Sequence, residues 1–129
     1  MTRIMDPKDF NATFARLYNG RDLRGLLQLY EPQAAHLNAQ TRQTDVGLDA
    51  IEASLRALLQ IPGRMVSKTN WCIVRGEIAL LRGDWSIHDE RGAVLADGSS
   101  VEVARRQADG SWRTLIDHAV GASVARVAR

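Results

Sequence analysis

From Arg64 onward the chain reads as four runs of strand-like residues, "MVSKTNWCIV", "IALLRGDWSIHD", "SSVEVARRQ" and "WRTLIDHAV", separated by the turn-forming stretches "RGE", "DERGAVLADG" and "ADGS". Strands joined by turns this short pair antiparallel, because a parallel neighbour needs a crossover of a dozen or more residues. The C-terminal half is therefore a meander. What precedes it is helical, and helices first with strands second is an α+β arrangement, a sheet whose concave face is covered by helices.

The helical half begins at "DPKDF", where Asp6 can cap, Pro7 suits the first turn and Asp9 sets negative charge near the positive end of the helix dipole. Phe10, Phe14, Leu17 and Tyr18 fall at helical spacing, and the helix is expected to run to Asn19 with Gly20 closing it. A second helix is expected after Asp22, carrying Leu23, Leu26, Leu27 and Tyr30 on one face and stopping at Pro32, so that the two form a hairpin. The stretch "AAHLNAQTRQTDVG" alternates loosely, as two edge strands or a strand and a loop would. A third helix follows with Ile51, Leu55, Leu58 and Leu59 on one side, ended by "IPG".

A length of 129 residues, 45% hydrophobic and 25% charged, is that of one domain, residues 1–129, able to bury a core without staples. No apolar run is long enough to span a bilayer, and "MTRIMDPKDF" lacks the apolar stretch of a signal peptide, so no membrane partner and a cytoplasmic location are expected. Cys72 is the sole cysteine, expected in a buried strand position. Without metal-ligand spacing or a Gly-rich phosphate loop, neither a metal nor a cofactor is expected. The net charge of +2 is spread over interleaved acids and bases. Arg105, Arg106, Arg126 and Arg129 come without aromatic platforms, which argues against a nucleic-acid partner.

The unusual residues lie in the last strand, where Asp117 and His118 interrupt an apolar pattern. Alternation puts Arg113, Leu115 and Asp117 on one face and Trp112, Thr114, Ile116 and His118 on the other. Asp117 either looks into a ligand pocket or is bonded to backbone or an arginine. Glu102 shares a face with the small residues Ser100 and Ala104, which leave room for a ligand; it could equally pair with Arg75 or Arg113. If both acids faced one apolar cavity they would repel as anions, and one would keep its proton. Trp71 is expected to wall the pocket, with Trp85 open between pocket and interface. His36 and Asn38 can point the same way near the pocket mouth, or serve as caps. Val66, Val74 and Ile116 exceed what one layer of helices can cover, which predicts a homodimer through the outer face of the sheet.

The segments "YNGRDLRGLLQLYEPQAAHL", "DVGLDAIEASL" and "SSVEVARRQADGSWRTLIDHAVG" resemble, over nearly the whole chain, the SnoaL-like and DUF4440 branches of the NTF2-like superfamily. The shared features are an acid at the head of the second helix, a Gly and an "AI" pair opening the third, and "RRQ", "DG", "WR" and "ID" in order near the end. The resemblance implies a cone-shaped, strongly curved antiparallel or mixed sheet around a pocket, three N-terminal helices with the first as lid, and a dimer. Against the ketosteroid isomerase pattern of a tyrosine, an Asp base and a protonated Asp, this chain has Phe14, Asn38 and Glu102. Phe14 cannot donate a hydrogen bond and Asn38 cannot take a proton, so that mechanism is not expected. SnoaL-type cyclases look similar in carrying an acid on the last strand opposite a polar group on the strand before it, which here are Asp117 and Glu102. On this resemblance Asp117 and Glu102 are the catalytic candidates, and Phe14, Tyr18, His36, Asn38, Trp71 and Leu115 the ligand-binding ones. The expected ligand is small, apolar and ring-containing. The expected chemistry is proton transfer in an isomerisation, cyclisation or dehydration, with a non-catalytic ligand-binding or dimerisation module as the other reading.

Overall fold

A computed structural model describes residues 2–128. A single 3-10 turn, Pro7–Asp9, capped by Asp6, leads into α1 (Phe10–Asn19), closed by Gly20 as expected. Then follow α2 (Leu23–Leu27), β1 (Tyr30–Leu37), β2 (Thr44–Val46), α3 (Leu48–Leu59), β3 (Arg64–Arg75), β4 (Ile78–His88), β5 (Val94–Arg106) and β6 (Trp112–His118). The six strands form one mixed sheet in the order β2-β1-β6-β5-β4-β3. Among the described residues only β1 and β6 run parallel. The α+β class and the meander of the C-terminal half are as the sequence predicts.

Two element boundaries differ from the sequence reading. The second helix ends at Leu27, and Tyr30, expected on its apolar face, opens β1 instead. Asp22 still caps the helix through Gly25 N at 2.8 Å. The helix is cut short because β6 claims the next backbone groups: Thr114 N donates to Leu29 O at 2.7 Å, and Tyr30 stands beside Thr114 in the sheet. Pro32, which has no N–H to give the ladder, sits where the β1–β6 register shifts. The other difference is that β5 starts at Val94, so that "VLADG", expected as turn, is strand.

The helices cover one face of the sheet. Ile51 and Leu55 of α3 and Leu26 of α2 bury against Ala79, Leu81 and Ala104 of the central strands. A second apolar cluster joins Ala15 and Tyr18 of α1 to Met65 of β3 and Ile87 of β4. Helix α1 rests directly on the sheet at Gly83, where a methyl group would run into the Asn11 side chain. Three extra residues bend the long strands: the pairing skips Asn70 in β3 against β4, Leu95 in β5 against β4, and Leu115 in β6 against β5. Such bulges sharpen local twist and curl a sheet. The opposite face keeps much of its apolar surface, Val66 and Ile116 being 45% and 49% exposed. Val74, expected there too, pairs instead with the core residue Ala79, so it lies on the helix-covered face near the end of β3, where it is exposed because the helices do not reach it.

Candidate functional site

Between α1 and the curled sheet lies a cavity of about 280 Å³, near the lower end of the range for small-molecule sites. Its walls are largely apolar and include the rings of Phe10, Phe14 and Trp85. Trp85 donates from Nε1 to Ala119 O at 2.7 Å, which ties the segment after β6 against the cavity, where Ala119 and Val120 line it. Asn11 is fixed by donating to Thr69 Oγ1 at 2.9 Å and adds an amide to the lining.

Among the residues lining this apolar space are two acids and a phenol, Glu102, Asp117 and Tyr30. Glu102 and Asp117 are directly opposite in the β5–β6 ladder, a spacing that brings their Cβ atoms to roughly 5 Å. The Tyr30 hydroxyl donates to Asp117 Oδ2 at 2.8 Å. Glu102 has no such support: both carboxyl oxygens are shut off from solvent and, among the described residues, neither has a hydrogen-bond partner.

The electrostatics follow from those contacts. Burial, with the Asp117 charge added, pushes the Glu102 carboxyl up to about 8. Burial also raises Asp117, but nearby His36, the Tyr30 bond and nearby His118 act against it. Tyr30 is driven well above the ordinary phenol value by its burial and then by the Asp117 charge. Two carboxyls this close do not both ionise. Of the two, Asp117 receives the Tyr30 hydroxyl and lies beside His36, which favours the anion on Asp117 and the proton on Glu102. When the pair carries a single proton, the cavity holds one neutral acid and one carboxylate.

Of the residues singled out from the sequence, Asp117, Glu102 and Phe14 line the cavity together. Glu102 forms no ion pair with Arg75 or Arg113. Five other placements are corrected. Leu115 is the bulged residue of β6, so Thr114 and Asp117, three apart, both line the cavity and Leu115 does not. Trp71 lies on the outer face because the bulge at Asn70 reverses the alternation; its place in the cavity is taken by Trp85. Tyr18 is fully buried in the core beneath α1, its hydroxyl donating to Ile61 O at 2.7 Å and Leu58 O at 3.1 Å. Asn38 caps the β1–β2 turn, its Oδ1 accepting from Gln40 N at 2.9 Å and Thr41 N at 3.1 Å. His36 does not line the cavity but stands next to Asp117 in the β1–β6 register. Sequence reasoning missed Tyr30, Thr114 and Asn11. Among the described residues no group of three or more His, Cys, Asp or Glu is arranged to hold a metal ion, and no helix is long and apolar enough to cross a membrane.

No protein-family model matches the chain, and no curated protein does. Solved structures match over most of its length. One, from Thiobacillus denitrificans and assigned as a calcium/calmodulin-dependent protein kinase type II association domain, superposes with a TM-score of 0.77 at 20% identity, covering 93% of this chain and 98% of that one. A ketosteroid isomerase-like protein from Erwinia carotovora atroseptica gives 0.69 at 17% identity, covering 83% and 86%. An NTF2-like protein of unknown function from Pseudomonas putida gives 0.67 at 19% identity, covering 83% and 78%. The chain has the NTF2-like, ketosteroid isomerase-like cone fold.

Proposed function

We propose that the protein is a proton-transfer catalyst of the SnoaL-like kind, acting on a small, largely apolar, ring-containing carbonyl compound. The observation that carries this reading is the pair of opposed carboxyls in one apolar cavity, Asp117 held by Tyr30 and Glu102 left without a partner. A buried acid with no protein partner costs stability unless a ligand uses it. In the proposed step the Asp117 carboxylate takes a proton from carbon next to the carbonyl, while the protonated Glu102 donates a hydrogen bond to the oxygen where negative charge develops. Asp117 then returns the proton to a different carbon, giving an isomer; given instead to a departing β-hydroxyl it releases water and completes a dehydration, and given to the alkoxide formed when the enolate carbon attacks a second carbonyl it completes a cyclisation. The aromatic rings of Phe10, Phe14 and Trp85 supply flat apolar walls for the ring.

The test is exchange of carbon-bound protons of cyclic ketones in deuterium oxide, followed by NMR with the wild type and with Asp117→Asn. The amide is nearly isosteric, so the fold should persist while exchange falls on the order of a hundredfold or more. An Asp117→Asn protein that is destabilised yet binds a ring ligand as the wild type does would make Asp117 a structural carboxylate and end this proposal. A second reading, a non-catalytic assembly module, has its own support in the apolar outer face of the sheet and in the likeness to a protein assigned as an association domain. It would gain if no ketone is exchanged and the chain forms a stable oligomer.

A further inference from the structure

The two cavity acids belong to a longer row. Across the sheet the register aligns Asp45 of β2 with His36 of β1, His36 with Asp117 of β6, and Asp117 with Glu102 of β5. Directly opposed residues share a face, so four titratable side chains run in line from the sheet edge, beside α3, into the cavity. We propose that His36 is a positioning residue that links the edge carboxylate of Asp45 to the cavity acid Asp117, holding Asp117 as the anion of the pair.

The geometry at His36 supports this link. Its ring is largely buried, its side chain being 16% exposed, and its Nδ1 is shut off from solvent with no hydrogen-bond partner among the described residues. That nitrogen lies 3.7 Å from Asp45 Oδ2, a charge-pair distance and too long for a hydrogen bond. Asp45 Oδ2 is itself held by Ser54 Oγ of α3, which donates to it at 2.9 Å. Asp45 thus stands on one side of the ring and Asp117 on the other. A protonated imidazole in this place has a carboxylate on each flank. The titratable groups set against Asp117 are Tyr30 and His36 from β1, Glu102 from β5 and His118 from its own strand, and of these His36 alone is tied to a further charge.

This inference rests on Asp117 being the ionised acid of the proposed site, yet its test needs no substrate. Asp117 is followed by carboxyl-carbon NMR in the wild type, His36→Gln, Asp45→Asn and the double variant, with a proton–nitrogen correlation spectrum confirming the fold of each. Should His36→Gln fail to fold, His36→Asn takes its place in the cycle. His36→Gln is expected to raise the proton affinity of Asp117 by about tenfold, one pH unit. If His36 carries the link, Asp45→Asn changes Asp117 only while His36 is present, whereas the bare field of Asp45 on Asp117 would act equally in both backgrounds. An unchanged Asp117 in His36→Gln, or an Asp45 effect that simply adds in the double variant, overturns the link. Absence of ketone exchange would remove the proposed catalysis and leave these titrations as they stand.

Discussion

Replacing Glu102 by glutamine should make the protein more stable at pH 8 and abolish most of the fall in its stability between pH 6 and 8. The carboxyl is pushed to about 8 in the folded protein, against 4.5 for an ordinary glutamate. Below pH 4.5 the folded and unfolded chains both carry the proton and nothing is lost. Between 4.5 and 8 only the folded chain keeps it, so folding takes up a proton and stability falls as pH rises; above about 8 the cost is complete. One proton gives at most about 1.4 kcal/mol per pH unit, which sums to about 5 kcal/mol for the whole window and about 2 kcal/mol between pH 6 and 8 once the folded group begins to titrate. Glutamine fills nearly the same volume and never ionises, so the Glu102 share of that fall should be absent in the variant. Urea unfolding at pH 6, 7 and 8, with the slope on denaturant confirmed equal, measures the difference. Parallel pH dependence in wild type and variant would refute the reasoning, since it would mean that Glu102 is already ionised in the fold.

Tyr30→Phe deletes the hydroxyl bonded to Asp117; the Asp117 carboxyl should then bind its proton more tightly, and stability at neutral pH should fall by roughly 1–3 kcal/mol, both readable by carboxyl NMR and chemical unfolding. Gly83→Ala sets a methyl group against the Asn11 side chain, which should lift α1 from the sheet and cost about 1–3 kcal/mol; thermal melts without such a loss would mean that α1 is not seated as described. On the outer face Ile73 of β3, Leu80 of β4 and Ile116 of β6 fall in one cross-strand row with Val103 between the last two, and a dimer using that row should give way to monomer in Ile116→Lys, with light scattering as the measurement and a monomeric wild type as the result that removes the dimer.

The class of fold and most of its elements were legible because they are written locally: the Asp6 and Pro7 start of α1, the spacing of Ile51 and Leu55 in α3, and the alternation of the meander strands. The site was legible only in part, and its misplacements share a cause. Trp71 follows Ser67 and Thr69 at intervals of two, so an unbroken strand would put it in the cavity; the extra residue Asn70 turns it outward. Leu115 shares the parity of Asp117, and Leu115 itself is the extra residue, which brings Thr114 to the cavity in its stead. Tyr30 has the helical spacing of Leu23, Leu26 and Leu27, yet the backbone bond from Thr114 to Leu29 ends the helix first. In each case pairing with another strand decided the matter, and no pattern within a single segment encodes its register on a partner. The bulges that defeat the reading also help build the cavity. They bend β3, β5 and β6, and a sheet that curls has a concave side on which an enclosed space can form under a single layer of helices. A flat sheet with perfect alternation would have been easier to read, and its acids at Glu102 and Asp117 would have faced the packed underside of a helix with no room for a ligand.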